Sequence, residues 1–434
     1  MTDGLRDRQR SSRPVDTSAD RILAGPRRAG HPVDTQRVRR EIVLGLDFGT
    51  SYTSAGALVD GRVHLVVDSG DPMIPSVVHL PARGEPEVGT RAVPHLLAAP
   101  TTTITSIKRL LGARRDDLAV RRLGPTVPYH LGYTADGQLV VKARNQDWAP
   151  EQIASYVLAR ARALAEQRFG AEVSRVVATI SAVANATYQA ALRRAARLAH
   201  LEVVEVIAEP IAGALAVGLH GQPIDRRLAV LDFGGGTFDV TLVEQRGRRF
   251  YIIATGGDPF LGGDDLDQAM VGALAGLIFR RARFDLTRDV VRRATLALRC
   301  ESVKRALSTA SEARLAMREA YLESGAPRDL ELVIERTWVE PLWDPLFTRA
   351  TDEVRRVLAE AGWRADEVDA IALVGGTSLV PRFQDHVQTL FPRVAVSARS
   401  DAHVAIATGA TLLTARHQPG AGEVPVLDDR RAAR

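Results

Sequence analysis

Short apolar runs ended by glycine turns alternate with stretches of helical period along most of this chain. Ile42-Val43-Leu44-Gly45-Leu46 is an apolar run suited to a buried strand, and Asp47-Phe48-Gly49-Thr50 closes it with a turn. Residues 55–59 predict a second strand, Asp60-Gly61 a hairpin, and residues 62–68 a returning third strand. The same plan recurs in the second half. Residues 228–231 are apolar, Asp232-Phe233-Gly234-Gly235-Gly236-Thr237 makes the turn, residues 238–244 lead out, residues 245–248 turn, and residues 250–254 return. Strand, Asp-Phe-Gly turn, strand, turn, strand therefore occurs twice, which predicts a duplicated three-stranded unit and two similar lobes.

Helical patterns fill the intervals. Pro150 suits a first helical position, and Ile153, Val157, Ala161 and Leu164 form one stripe before Gly170. Residues 187–199 are rich in Ala and Arg and read as helix. Phe383, Val387 and Leu390 make a stripe after Pro381. Ser400 or Asp401 is placed to cap a last helix, in which Gly409 would let another element come close. Strands alternating with helices predict an α/β architecture.

Composition narrows the class. The chain has 434 residues, 45% hydrophobic and 25% charged, as in an ordinary soluble globular protein, and its length predicts several domains or one bilobal body. No apolar run is long enough to predict a membrane span, and the N-terminus lacks the apolar core of a signal peptide. A single cysteine, Cys300, fits a reducing compartment, so the expected location is cytoplasmic. Residues 1–40 hold ten Arg and five Asp, a net charge equal to the +5 of the whole chain, so the remainder is neutral and predicts no basic groove. This segment reads as a disordered basic tail. It is the one place where nucleic acid or anionic lipid could be touched; a solubilising extension is the plainer reading. Lysine occurs only at 108, 142 and 304, so each surviving lysine is a candidate for a task arginine cannot do.

Candidate chemistry gathers at the turns. A tight turn after a buried strand presents consecutive backbone N–H groups, and its glycines let a phosphate approach. Gly49-Thr50-Ser51 and Gly235-Gly236-Thr237 both have this form, and each follows an acid, Asp47 or Asp232. Two carboxylates facing a polyphosphate require a cation such as Mg²⁺ or its waters between them. One such turn alone is most often a glycine-rich hairpin; two matched turns in duplicated units point to a polyphosphate. Gly375-Gly376-Thr377 follows an apolar strand over 371–374 and precedes a helix, a nucleotide-approach geometry that is weak alone. Glu301, Lys304, Arg305 and Ser308 share one face of a helix whose other face carries Cys300, Val303 and Leu307. By itself that is an amphipathic helix with a Glu301–Arg305 pair.

Taken together in order, Leu44 to Ser51, Ile107-Lys108-Arg109-Leu110-Leu111-Gly112, Glu209-Pro210-Ile211-Ala212-Gly213-Ala214, Leu231 to Asp239, Leu261-Gly262-Gly263-Asp264-Asp265, Cys300 to Ser308 and Leu373 to Thr377 form a recognisable set. The chain resembles the nucleotide-binding domain of the DnaK-type (seventy-kilodalton) heat-shock proteins over about residues 41–417. The Asp-Phe-Gly turns are shared with actin and sugar kinases; the stretches around Lys108 and Lys304 belong to the chaperone branch. The resemblance implies an α/β actin-like ATPase fold, two duplicated lobes around a nucleotide cleft. Lobe I would span 41–225 with a small subdomain at about 77–148, and lobe II 226–398 with one at about 263–342. A closing helix of lobe I would lie in 399–417, and a loose tail in 418–434.

The resemblance also implies roles. Gly49, Thr50, Ser51 and Tyr52, with Gly234, Gly235, Gly236 and Thr237, would be the phosphate loops of an ATP/ADP site. Lys108 would orient the attacking water, Glu209 would complete the site, and Thr237 would lie near the γ-phosphate. Asp47, Asp232 and Asp239 would hold Mg²⁺, mainly through water, with K⁺ as a further counterion. Glu301, Lys304, Arg305 and Ser308, with Gly375, Gly376 and Thr377, would clasp adenosine. Ser181 and Gln189 stand where the family has the Pro and Arg that relay nucleotide state, Ala208 where it has Asn, and Leu379 where an Arg stacks on adenine. After Ala415 only 19 residues remain, so no client-binding domain is expected, although residues 424–429 resemble the family's interdomain linker. The expected activity is slow Mg²⁺-dependent ATP hydrolysis, with lobe closure acting as a switch for a protein partner docked on a lobe face. The alternatives are a nucleotide-binding module with negligible hydrolysis, a small-molecule kinase, and a filament former of the same superfold.

Overall fold

The computed structural model describes residues 41–124, 127–217, 225–247 and 249–418. The tail predicted over 1–40, the linker-like 424–429 and all but residue 418 of the expected C-terminal tail lie outside the described residues.

The first sheet starts with a meander. Strand β1 (Glu41–Phe48) turns at Gly49 into β2 (Tyr52–Val59), which turns at Asp60-Gly61 into β3 (Arg62–Leu65). The returning strand ends three residues before the predicted Asp68. The backbone of Asp68 pairs instead with Asp71 in an isolated bridge, its N–H donating to Asp71 O at 2.8 Å, while its carboxylate accepts bonds from Thr90 N and Arg160. Helix α1 (Pro150–Phe169) leads into β4 (Glu172–Ile180), and α2 (Ala186–Leu198) into β5 (Glu202–Ala208), which runs straight into α3 (Glu209–Ala216). The strand order is β5-β4-β1-β2-β3, with β1 parallel to β4 and antiparallel to β2. Between β3 and α1 lie two small three-stranded sheets whose buried side chains join the same core.

The second sheet repeats this start. Strands β6 (Arg226–Phe233), β7 (Phe238–Arg246) and β8 (Arg249–Asp258) form an antiparallel meander. Helices α4 (Gly263–Ala282) and α5 (Val290–Leu307) follow, then the hairpin β9 (Glu312–Glu323) and β10 (Ala326–Glu335), helix α6 (Arg336–Ala361), strand β11 (Ala370–Val374) and helix α7 (Pro381–Leu390). Strand β11 pairs in parallel with β6, as β4 does with β1. The core of this half is aromatic: the Phe233 ring centroid lies 4.9 Å from that of Phe238 and 4.8 Å from that of Phe383.

Helix α8 (Ala405–Leu413) returns to the first half. A Cβ on Gly409 would fall 1.8 Å from the carbonyl oxygen of Ala212 on α3, and one on Gly45 2.2 Å from Thr411 N. Only glycine allows these backbones to touch. Helices α3 and α8, with Val43, Val230 and Val374 from both sheets, form a core that joins the halves and leaves the two Asp-Phe-Gly turns facing each other. The predicted cap on the last helix does not form. A 3-10 turn, Ala402–Val404, precedes α8, and the Arg399 guanidinium takes both Asp401 oxygens at 2.9 Å.

Candidate nucleotide cleft

The two halves enclose a cavity of about 360 Å³, within the range of small-molecule sites. Both turns line it. Ser76 pins the first: its N–H donates to Ser51 O at 2.8 Å and its hydroxyl to Gly49 O at 2.9 Å. The second is fixed through its carbonyls. Gly234 O accepts from the Thr377 hydroxyl at 2.8 Å, Gly235 O from Asp264 N at 2.7 Å, and Gly236 O from Arg109 of the opposite half. A Cβ on Gly235 would lie 2.6 Å from Ser51 Oγ, so the turns meet with no room for a side chain between them.

Lys108 sits on a 3-10 turn, Ile107–Leu110, anchored by its buried Ile107 and Leu110. Its ammonium donates to Glu209 Oε1 at 2.8 Å. Glu209 is buried as the first residue of α3, where the helix dipole favours a carboxylate. Asp47, at the end of β1, accepts from the Thr179 hydroxyl at 3.2 Å. Asp232 is the next-to-last residue of β6 and is paired in register with Asp239 on β7. Lys108, Asp47, Glu209 and Asp232 line the main cavity. Asp239 does not; it faces a smaller hollow behind, with Ser181 and Thr241, whose wall Glu209 and Asp232 also form.

Four carboxylates thus gather around one ammonium in a desolvated place. Burial pushes Asp47 up to about 6, with Lys108 pulling down and Glu209 pushing further up. Burial and then Glu209 raise Asp239 to about 6 as well. Burial, with Glu209, Asp239 and Asp47, lifts Asp232 well above the carboxylate range. Burial works against the Lys108 ammonium, but the field of Glu209, Tyr188 and Asp47 outweighs it and the net shift is upward. Such a set lacks positive charge, and a cation added there relieves it. Among the described residues no three carboxylate, His or Cys side chains converge into a metal cage. The donors suit a cation that keeps its own waters, as Mg²⁺ does.

The other end of the cleft is made by α5. Glu301, Lys304, Arg305 and Ser308 all line it, and Cys300, Val303 and Leu307 are buried on the opposite face, as the periodicity predicts. Glu301 and Arg305 do not pair with each other. The Tyr52 hydroxyl donates to Glu301 Oε1 at 2.6 Å, and Arg305 reaches Asp71 at 3.4 Å, so both bonds cross the cleft. Lys304 turns inward, donating to Asp267 at 2.6 Å and Gly263 O at 2.7 Å. Gly375, Gly376 and Thr377 close this end; Gly375 has φ 84° and a Cβ there would meet Phe233 O. Sequence reasoning missed Met73, Val380 and His403, which also line the cavity and carry no periodic signal, and gave no role to Asp264, although its motif was legible.

The family model for Hsp70 protein matches residues 43–429, nearly the whole chain. The chain belongs to the Hsp70 family. Its fold is therefore the actin-like ATPase fold, with duplicated lobes around a nucleotide cleft. Hsp70 proteins are ATPases that bind ATP or ADP with Mg²⁺ and interact with other proteins. In this Hsp70 protein Leu379 lies in the cavity wall, and Gln189 lies on α2. Among the described residues no helix is long and apolar enough to cross a membrane.

Proposed function

We propose that this Hsp70-family protein hydrolyses ATP slowly and uses lobe closure as a nucleotide-controlled switch for a protein partner. The observation that carries the reading is the Lys108–Glu209 pair set between two facing glycine turns and beside Asp47 and Asp232. The N–H groups and hydroxyls of residues 49–52 and 234–237 bind the phosphates. Lys108 orients the attacking water and stabilises charge on the γ-phosphate, and Thr237 supports that phosphate. Glu209 holds Lys108 in place. Asp47 and Asp232 would hold Mg²⁺ through its waters, with Asp239 behind them, and K⁺ would serve as an additional counterion. When bound, Mg²⁺ supplies charge neutralisation for phosphoryl transfer. Glu301, Lys304, Arg305 and Ser308, with residues 375–377, clasp adenosine from lobe II.

The two bonds across the base end couple nucleotide to lobe position. A nucleotide entering there meets Tyr52, Glu301, Arg305 and Asp71 together, so it changes contacts that differ between open and closed lobes. A partner on a lobe face can read that change. The test is ADP formation and phosphate release by the purified chain with and without Mg²⁺, and with sugars added as acceptors. Mg²⁺-dependent release to water supports the reading. ADP formed only when a sugar is present, with the phosphoryl group kept on the sugar and none released, makes the protein a kinase, and tight ADP binding without turnover makes it a nucleotide-binding module.

A further inference from the structure

Among the described residues, the Tyr188 side chain beside the site carries its one polar atom without a partner. The Tyr188 hydroxyl is fully enclosed and makes no hydrogen bond, although Tyr188 is the third residue of α2 and most of its neighbours are exposed. Burial raises its phenol to about 12, and the charges of Lys108, Glu209 and Asp47 act on it, the first lowering it and the other two raising it further. Its backbone is held tightly. Tyr188 N donates to the Asn185 cap at 2.8 Å. Gly112, at φ 68°, lies so close that a Cβ there would be 2.9 Å from Thr187 O and 3.1 Å from Tyr188 N. Gly112 ends the short segment that carries Lys108, so that segment and the start of α2 are in direct backbone contact.

An orphaned buried hydroxyl is costly unless another state of the molecule uses it. A lysine ammonium has three donors on a flexible stem. Glu209 takes one. We propose that Tyr188 is a positioning residue for hydrolysis: its hydroxyl accepts a second Lys108 donor when nucleotide fills the cleft. The third donor is then fixed on the attacking water and γ-phosphate. The phenol proton then turns towards Asp47 or Glu209, the carboxylates whose charge acts on it. Hydrogen bonds of this kind are often long before substrate binds and tighten afterwards. An ammonium held on two sides keeps the near-attack geometry that a freely swinging lysine loses.

The inference rests on the ATPase reading above, and Tyr188→Phe tests it by removing only the oxygen. Single-turnover hydrolysis should fall about ten- to a hundredfold, the worth of one hydrogen bond to a charged group. The ADP dissociation constant should stay within about twofold, and the melting temperature should hold or rise because an unpaired buried group is gone. In a Lys108→Ala background the same change should do nothing further, because Tyr188 acts through Lys108. An unchanged rate in Tyr188→Phe overturns the proposal while leaving the ATPase reading intact. So does an equal loss on top of Lys108→Ala, or a rate loss accompanied by lower melting and weaker ADP binding, which marks a structural role. No hydrolysis by the unmodified chain would overturn both readings.

Discussion

The two ends of the cleft are built on different principles. At the phosphate end the backbone is pinned from several directions, and the charged groups are desolvated and unbalanced: Asp47, Glu209, Asp232 and Asp239 surround Lys108. At the base end, the side chains of Tyr52, Glu301, Arg305 and Asp71 bond to each other across the gap and remain partly open to solvent. A desolvated, unbalanced set is strongly biased towards one kind of ligand, a cation with a polyphosphate. A set of half-open cross-cleft bonds is worth less individually and is more easily exchanged. The first end suits chemistry, and the second suits reversible coupling of binding to lobe position.

The comparison breaks most visibly at the phosphate end. Lys108→Ala should cut hydrolysis by about 10² or more, as when an electrostatic stabiliser is lost, and change ADP binding little. Unchanged phosphate release in that variant removes Lys108 from the mechanism. Asp232→Ala should lower both hydrolysis and Mg²⁺-dependent nucleotide binding; calorimetric titration of ADP with and without Mg²⁺ separates the two losses.

A pH series sharpens the contrast next. Asp47 and Asp239 titrate near 6 in the folded chain, above the ordinary Asp value of 3.8. The stability they contribute is full below about 4 and is lost as pH rises through 6, because their ionised forms are desolvated. A cation at these carboxylates requires them deprotonated and returns that stability. Apparent Mg²⁺ affinity should therefore fall about tenfold per pH unit below 6 for each proton taken up. The melting gain from Mg-ADP over ADP alone should shrink between pH 7.5 and 5. A gain that grows on acidification would contradict the electrostatic account.

The smallest effect belongs to the base end. Tyr52→Phe removes the bond to Glu301 and should change melting by less than about 1 kcal/mol of stability, with ADP affinity altered less than tenfold. A larger loss, measured by thermal melting and ADP titration, would show that the base end is as tightly built as the phosphate end.

The same division runs through what the sequence makes legible. The two turns stand out because apolar runs, acids and glycines occur within a few positions of each other, so local patterning carries the signal. The face of α5 is legible for the same reason. Partners are not. Lys108 and Glu209 are joined by tertiary packing alone, and Lys304 is claimed by Asp267 on another helix, so neither pair leaves a period in the chain. The expected Glu301–Arg305 pair fails because Tyr52 and Asp71 approach from the other lobe. The cap at Asp401 fails because a neighbouring arginine competes for the carboxylate. Tyr188 gives no signal, since a tyrosine in the first turn of an Ala/Arg-rich helix reads as a half-buried surface residue.

If both ends of the cleft hold one nucleotide, a ligand that spans them should stabilise the chain more than a ligand that fills one end. The unmodified chain would be melted with Mg-ADP, with Mg-pyrophosphate and with adenosine. Mg-ADP at about a hundred times its dissociation constant should stabilise by roughly 2.7 kcal/mol. Each half-ligand at the same concentration should give much less, because it engages one end alone. No shift with millimolar Mg-ATP or Mg-ADP would contradict the account, as would a shift with Mg-pyrophosphate equal to that with Mg-ADP.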